Sequence, residues 1–135
     1  RSFLLLMNKI VVEDIKEWFS KRDDVLFAFL FGSKVASFEA GRDWDFAICW
    51  KQPSRKSWDG FGMIEKMRYD LATFIGVSTD EVDVVDVLTA RLPIKTSIVE
   101  QGIPVAGMNE LAIFKFYQGV WSMQEEFHRR RAYGL

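Results

Sequence analysis

Val25-Leu26-Phe27-Ala28-Phe29-Leu30-Phe31-Gly32-Ser33, followed after nine residues (34–42) by Asp43-Trp44-Asp45, is the stretch on which the reading of this chain turns. The continuous apolar run ended by glycine fits a strand buried on both faces and central in its sheet. Gly32 has no Cβ, so a phosphate can approach the backbone there, and Ser33 adds a hydroxyl to the free N–H groups of the segment it opens. From Asp43 to Trp50 a second strand is expected, with Trp44, Phe46 and Ile48 on one face and Asp43, Asp45, Ala47 and Cys49 on the other. Asp43 and Asp45 therefore share a face and can grip one metal ion. Mg²⁺ favours one or two carboxylates together with substrate phosphate oxygens, so the pair suits a nucleoside triphosphate better than an all-protein cage.

A third carboxylate comes in Glu81-Val82-Asp83-Val84-Val85-Asp86-Val87, which is β-branched, alternating and strand-like. An ionised Asp83 among valines is costly unless paired or bound to metal. Beside the strand of Asp43 and Asp45 it would hold a metal or take a proton from an attacking hydroxyl. Asp86 competes for this role, but its parity is opposite to that of Asp83, and it is equally suited to ending the strand or capping the next segment. Asp83 as an ordinary edge-strand charge is the plain alternative.

The remaining chain supplies helices. Val11, Ile15, Trp18 and Phe19 space an amphipathic first helix; residues 52–60 read as a loop; Ile64, Met67, Leu71 and Phe74 space a second helix that Gly76 stops. Pro93 fits the first turn of a helix running to about Gln101, with Gly102 as its stop, and Asn109 caps a last helix. The expected class is α/β, a mixed β-sheet flanked by helices. Residues 1–6 read as a cloning remnant or frayed extension before Met7, and residues 7–135 as a single domain ending in an interface helix from about 109. That last helix is apolar over more than one stripe. Its second stripe is either buried deeply in its own domain or covered by another protein.

Composition narrows the function. With 18 basic and 19 acidic residues the net charge is -1, which offers no broad attraction to a nucleic-acid backbone, so direct DNA binding is not expected. The lone Cys49 excludes an intrachain disulfide and a cysteine zinc cluster and fits a reducing, cytoplasmic setting; midway along a strand it reads as a small core residue. The lone His128 excludes a multi-histidine metal site and reads as a solvated helix-end residue. No apolar run reaches the roughly 20 residues of a membrane span. Arg129-Arg130-Arg131 fits a helix C-terminus; Arg55 and Lys56 are loop cations open to phosphate; Trp58 and Phe61 are candidates for stacking on adenine, with a core role the better reading of Phe61.

Gly32-Ser33, then nine residues, then Asp43-Trp44-Asp45, then Val82-Asp83-Val84 is similar to the pattern of the nucleotidyltransferase superfamily that includes DNA polymerase β. The short chain resembles the minimal nucleotidyltransferases (MNT proteins), antitoxins paired with HEPN-domain ribonuclease toxins. The resemblance implies a polymerase β-like nucleotidyltransferase fold and Mg²⁺-dependent transfer of AMP from ATP to a toxin tyrosine. It also implies that Gly32, Ser33, Lys34 and Arg42 hold the nucleotide and that Asp43, Asp45 and Asp83 are catalytic and bind the metal. The family commonly carries Gly-Ser-x-Ala-Arg-Gly; here Lys34-Val35-Ala36-Ser37 follows the Gly-Ser pair, and Lys34 or Arg42 replaces the lost positive charge. Three other readings stand beside it: a binding module that neutralises by occlusion, a nucleotidyltransferase with a small-molecule acceptor, and a metal-dependent glycosyltransferase sharing only the Asp-x-Asp.

Overall fold

A computed structural model describes residues 11–36, 43–52 and 57–134, with the backbone alone for 36 and 57–59. The elements run α1 (Val12–Ser20), β1 (Val25–Phe31), α2 (Ser33–Ala36), β2 (Trp44–Trp50), α3 (Ser57–Ile75), a 3₁₀ turn (Thr79–Glu81), β3 (Val82–Asp86), α4 (Leu92–Gln101), β4 (Ile103–Ala106) and α5 (Leu111–Ala132). The four strands form one sheet in the order β3-β2-β1-β4. β1 is antiparallel to both β2 and β4, while β2 and β3 run parallel, so the sheet is mixed. The apolar run is central in it, as its two-sided hydrophobicity demands.

Each face of the sheet carries its own core. On one, Ala28, Leu30, Trp44, Phe46, Ile48, Val82 and Val84 pack against Ile15 and Phe19 of α1 and Met67, Leu71 and Ala72 of α3. On the other, Phe27, Phe29, Ala47, Cys49 and Val87 meet Ile98 of α4 and Ile113 of α5. Period-two alternation along β2 sends its large side chains to the first face and its small ones, with Asp45, to the second.

Several boundaries differ from those the sequence predicts. β4 has no counterpart among the expected strands: it holds only four residues and contains Pro104, which removes a ladder donor and confines the segment to a sheet edge. α3 starts at Ser57, within the expected loop, and carries Gly60 and Gly62 inside it. Phe61 stands on the outer side of that helix and is 65% exposed, so it is not a core residue. Gly76 ends α3 with a φ of 86° and donates its N–H to Ala72 O at 2.8 Å, as expected of a C′ glycine. The N-cap of α5 is Glu110, without a side-chain cap, rather than Asn109.

The last helix does not bury its second stripe. Ile113 and Val120 are buried, but Trp121 is 54% exposed, with Leu111 and Phe114 also open; Phe127, seven residues past Val120 in line with the buried stripe, is 49% exposed. Among the described residues no helix is long and apolar enough to cross a membrane.

Candidate active site

β1 and β2 converge at the Gly-Ser turn. Phe31, the last residue of β1, pairs with Asp45, and Asp45 pairs with Asp83 across the parallel β2–β3 ladder. Directly paired residues point to the same face, so the ladder itself sets these two carboxylates side by side. Gly32 comes next in the chain with a φ of 79°, a conformation that suits glycine, and a Cβ there would overlap the Asp45 carboxylate oxygen Oδ2. Ser33 opens α2 and donates its hydroxyl to the backbone carbonyl of Asp43 at 3.3 Å. Asp43 immediately precedes β2 and is solvent-exposed, Asp45 is half-buried, and Asp83 is exposed on the edge strand.

Electrostatics register the same meeting. The Asp45 carboxyl is pushed up from 3.8 to about 6, first by burial, then by the charges of Asp83 and Asp43 and by a hydrogen bond with Asp83. Like charges brought into a partly desolvated corner disfavour ionisation, and a cation there removes that repulsion. Among the described residues no three side chains form a ready-made metal cage. An open set of carboxylates is what Mg²⁺ uses when waters and phosphate oxygens complete its octahedron, so the donors fit that ion.

The other expected participants divide. Asp86 pairs with Ile48 on the ladder, at the parity opposite to Asp83, and its Oδ1 accepts the Leu88 N–H at 2.8 Å, so it ends the strand as an Asx-type cap. Lys34 carries its ammonium 4.6 Å over the Trp44 ring. Arg42, Arg55 and Lys56 lie outside the described residues, as does the side chain of Trp58. Cys49 is a buried core thiol raised to about 11 by burial and by Asp86, opposite to the shift a nucleophile needs. His128 is exposed on α5, and its neighbour Arg129 is ion-paired with Glu126.

Sequence reasoning missed Arg68 of α3. Its Nε donates to Val82 O at 2.7 Å and Thr79 O at 2.9 Å, anchoring the start of β3 one residue before Asp83. These bonds span 14 and 11 residues, beyond any local spacing rule. Only an arginine on a helix face heralds them.

A mixed four-stranded sheet flanked by helices, with a glycine-serine turn after β1 and acids on the parallel pair β2 and β3, defines a nucleotidyltransferase domain. The family model described as "Polymerase beta, Nucleotidyltransferase" matches residues 13–111. The chain belongs to that family. No curated protein matches it significantly. Its fold is shared with solved toxin–antitoxin structures. A toxin–antitoxin complex with AMP-PNP aligns with a TM-score of 0.63 at 21% identity, over 89% of this chain and 91% of the other. Another, tri-AMPylated Shewanella oneidensis HEPN toxin in complex with MNT antitoxin, aligns at 0.62 and 20% identity, over 90% and 94% of the two chains. A third, the MntA–HepT toxin–antitoxin, aligns at 0.60 and 20%, over 92% and 94%.

Proposed function

We propose that this chain is a Mg²⁺-dependent antitoxin that transfers AMP from ATP to a tyrosine hydroxyl of a HEPN-domain ribonuclease toxin and so neutralises it. The observation that carries the reading is Asp45 set against Gly32 and paired in register with Asp83, with Asp43 two residues earlier tied by its carbonyl to Ser33. The family match supports nucleotidyl transfer, and the AMPylated toxin and the AMP-PNP complex among proteins of the same fold support nucleotide and acceptor.

In this reaction the tyrosine oxygen attacks the α-phosphorus of ATP, the bond from that phosphorus to the bridging oxygen breaks, and pyrophosphate leaves. Gly32 and Ser33 hold the triphosphate by backbone approach and hydroxyl. Asp43 and Asp45 would hold Mg²⁺, with Asp83 completing the set, and the ion when bound would supply neutralisation of charge on the phosphates. Asp83 takes the hydroxyl proton. The open stripe of α5, with Phe114 and Trp121, docks the toxin. ATP as donor fits a cytoplasmic setting.

The test incubates the chain with Mg²⁺, each nucleoside triphosphate and the co-encoded partner, then weighs both proteins intact. A gain of AMP on the partner that disappears in Asp43→Asn plus Asp45→Asn is the expected result. Neutralisation that survives the double substitution, with no mass gain, establishes occlusion instead.

A further inference from the structure

We infer that Lys34 and Trp44 are a positioning pair that locks the Gly32–Ser33 turn to the start of β2, an inference that rests on the nucleotidyltransferase reading of the site. α2 has four residues, too few to hold itself by its own hydrogen bonds, and the turn that would cradle phosphate is continuous with it. It therefore needs an anchor. Two consecutive residues of the turn touch two consecutive residues of the acidic strand: Ser33 Oγ reaches Asp43 O at 3.3 Å, and Lys34 Nζ lies 4.6 Å from the Trp44 ring centroid.

The anchor point is rigid. Trp44 is only 5% exposed, sits in the core beneath α1 and α3, and stacks on Phe46 with centroids 6.4 Å apart and planes within 5°. An ammonium over the face of such a ring is attracted by its quadrupole. Alternation along β2 places that ring on the face opposite Asp45. Lys34 thus acts through the turn it belongs to, from across the sheet, and not as a direct phosphate ligand. Trp44, the central residue of Asp43-Trp44-Asp45, fixes turn and acids in one register: its backbone carries the acids and its ring holds the turn.

The experiment measures ATP affinity in the presence of Mg²⁺ by calorimetry for the full chain and for Lys34→Met, Lys34→Arg, Trp44→Leu and Trp44→Phe. Lys34→Met and Trp44→Leu should each weaken binding by about 3- to 10-fold, the range a cation–π contact supports. The double variant Lys34→Met/Trp44→Leu should be no weaker than the worse single variant, and Lys34→Arg and Trp44→Phe should stay within about twofold. Multiplying losses in the double variant, or a loss in Lys34→Met alone, overturns the pair in favour of a direct phosphate contact. Should Trp44→Leu fail to fold, amide exchange without nucleotide decides. The Val35 N–H, bonded to Gly32 O at 3.1 Å, must exchange faster in Lys34→Met and not in Lys34→Arg, and unchanged exchange in both overturns the pair. A wild-type chain that binds no nucleotide overturns the nucleotidyltransferase reading and this inference with it. A wild type that binds while the variants act independently overturns this inference alone.

Discussion

Asp45→Asn should stabilise the metal-free protein at alkaline pH, and the site itself sets the size of the gain. The Asp45 carboxyl stands at about 6 in the fold against an ordinary 3.8, because it is half-buried and faces Asp83 and Asp43. A folded value above the unfolded one means that the folded chain holds the proton more tightly. The corresponding stability is fully present below about pH 3.8, falls as pH rises through about 6, and is gone at pH 8, where Asp45 is ionised in both states. Undiscounted, that difference amounts to about 3 kcal/mol at roughly 1.36 kcal/mol for each pKa unit. Water still reaches the carboxylate and screens it, which leaves about 1–2 kcal/mol. The carboxamide removes the charge and keeps a donor toward Asp83, so in EDTA at pH 8 the Tm should rise by about 4–8 °C for a chain of this size, and at pH 4 hardly at all. Thermal unfolding followed by circular dichroism from pH 4 to 8 is the assay. In the wild type, added Mg²⁺ should recover the same gain by ligand linkage, and in the variant it should not. An Asp45→Asn protein with an equal or lower Tm at pH 8 would refute the claim that these acids repel one another in the fold.

Three other substitutions probe separate parts of the molecule. Gly32→Ala forces a non-glycine residue to a φ of 79° and drives a methyl into Asp45 Oδ2, so stability should drop by about 1–2 kcal/mol and ATP affinity by more than about tenfold; calorimetry with unchanged affinity would contradict the turn's role. Arg22 bonds Asp24 at 2.9 Å and Asp70 at 3.1 Å and holds the Asp24 carboxyl below its usual value, chiefly by the hydrogen bond. Arg22→Met should therefore cost about 1 kcal/mol at pH 7 after screening, and the cost should fade as acid protonates Asp24, which urea unfolding at pH 7 and pH 3 checks. Phe114→Glu with Trp121→Glu, both on the open stripe of α5, should change the Tm by less than about 2 °C yet weaken partner binding by more than about tenfold; pull-down at wild-type strength would remove this stripe of α5 as the docking surface.

Local chemistry dictates the part of the structure that is legible in the sequence. Seven apolar residues in a row require cover on both faces, and β1 is indeed flanked by β2 and β4 with helices above and below. Alternation tells the faces of β2 apart, and parity separates Asp83 from Asp86 before either has a neighbour. The features that escape depend on partners distant in the chain or on weak local signals. β4 gains its ladder from β1, more than 70 residues earlier, and its proline masks it as a loop. The start of α3 is hidden by Gly60 and Gly62, which cost helix propensity but occupy an outer surface where a Cβ would meet nothing. Phe61 shows the limit of the hydrophobic rule in the other direction, since a large apolar side chain does not always find the core.

One strand carries two incompatible demands, and its pleat is what reconciles them. Carboxylates that hold a cation must face phosphate and some water, whereas the strand that fixes them must be rigid, which requires large side chains in tight packing. A helix would smear both sets around its circumference. On β2 the period of two assigns Trp44, Phe46 and Ile48 to the core under α1 and α3 and leaves Asp45 beside Asp83 on the other face. The parallel pairing with β3 then brings the third acid into register, with Arg68 anchoring the strand's first carbonyl. A one-residue slip of β3 against β2 would turn Asp83 to the face covered by α1 and α3 and bring a valine to Asp45. Charge repulsion alone would favour that slip; burial of Val82 and Val84 on the core face opposes it, and the burial of two valines, at about 1.5–3 kcal/mol each, exceeds a screened repulsion of about 1–2 kcal/mol.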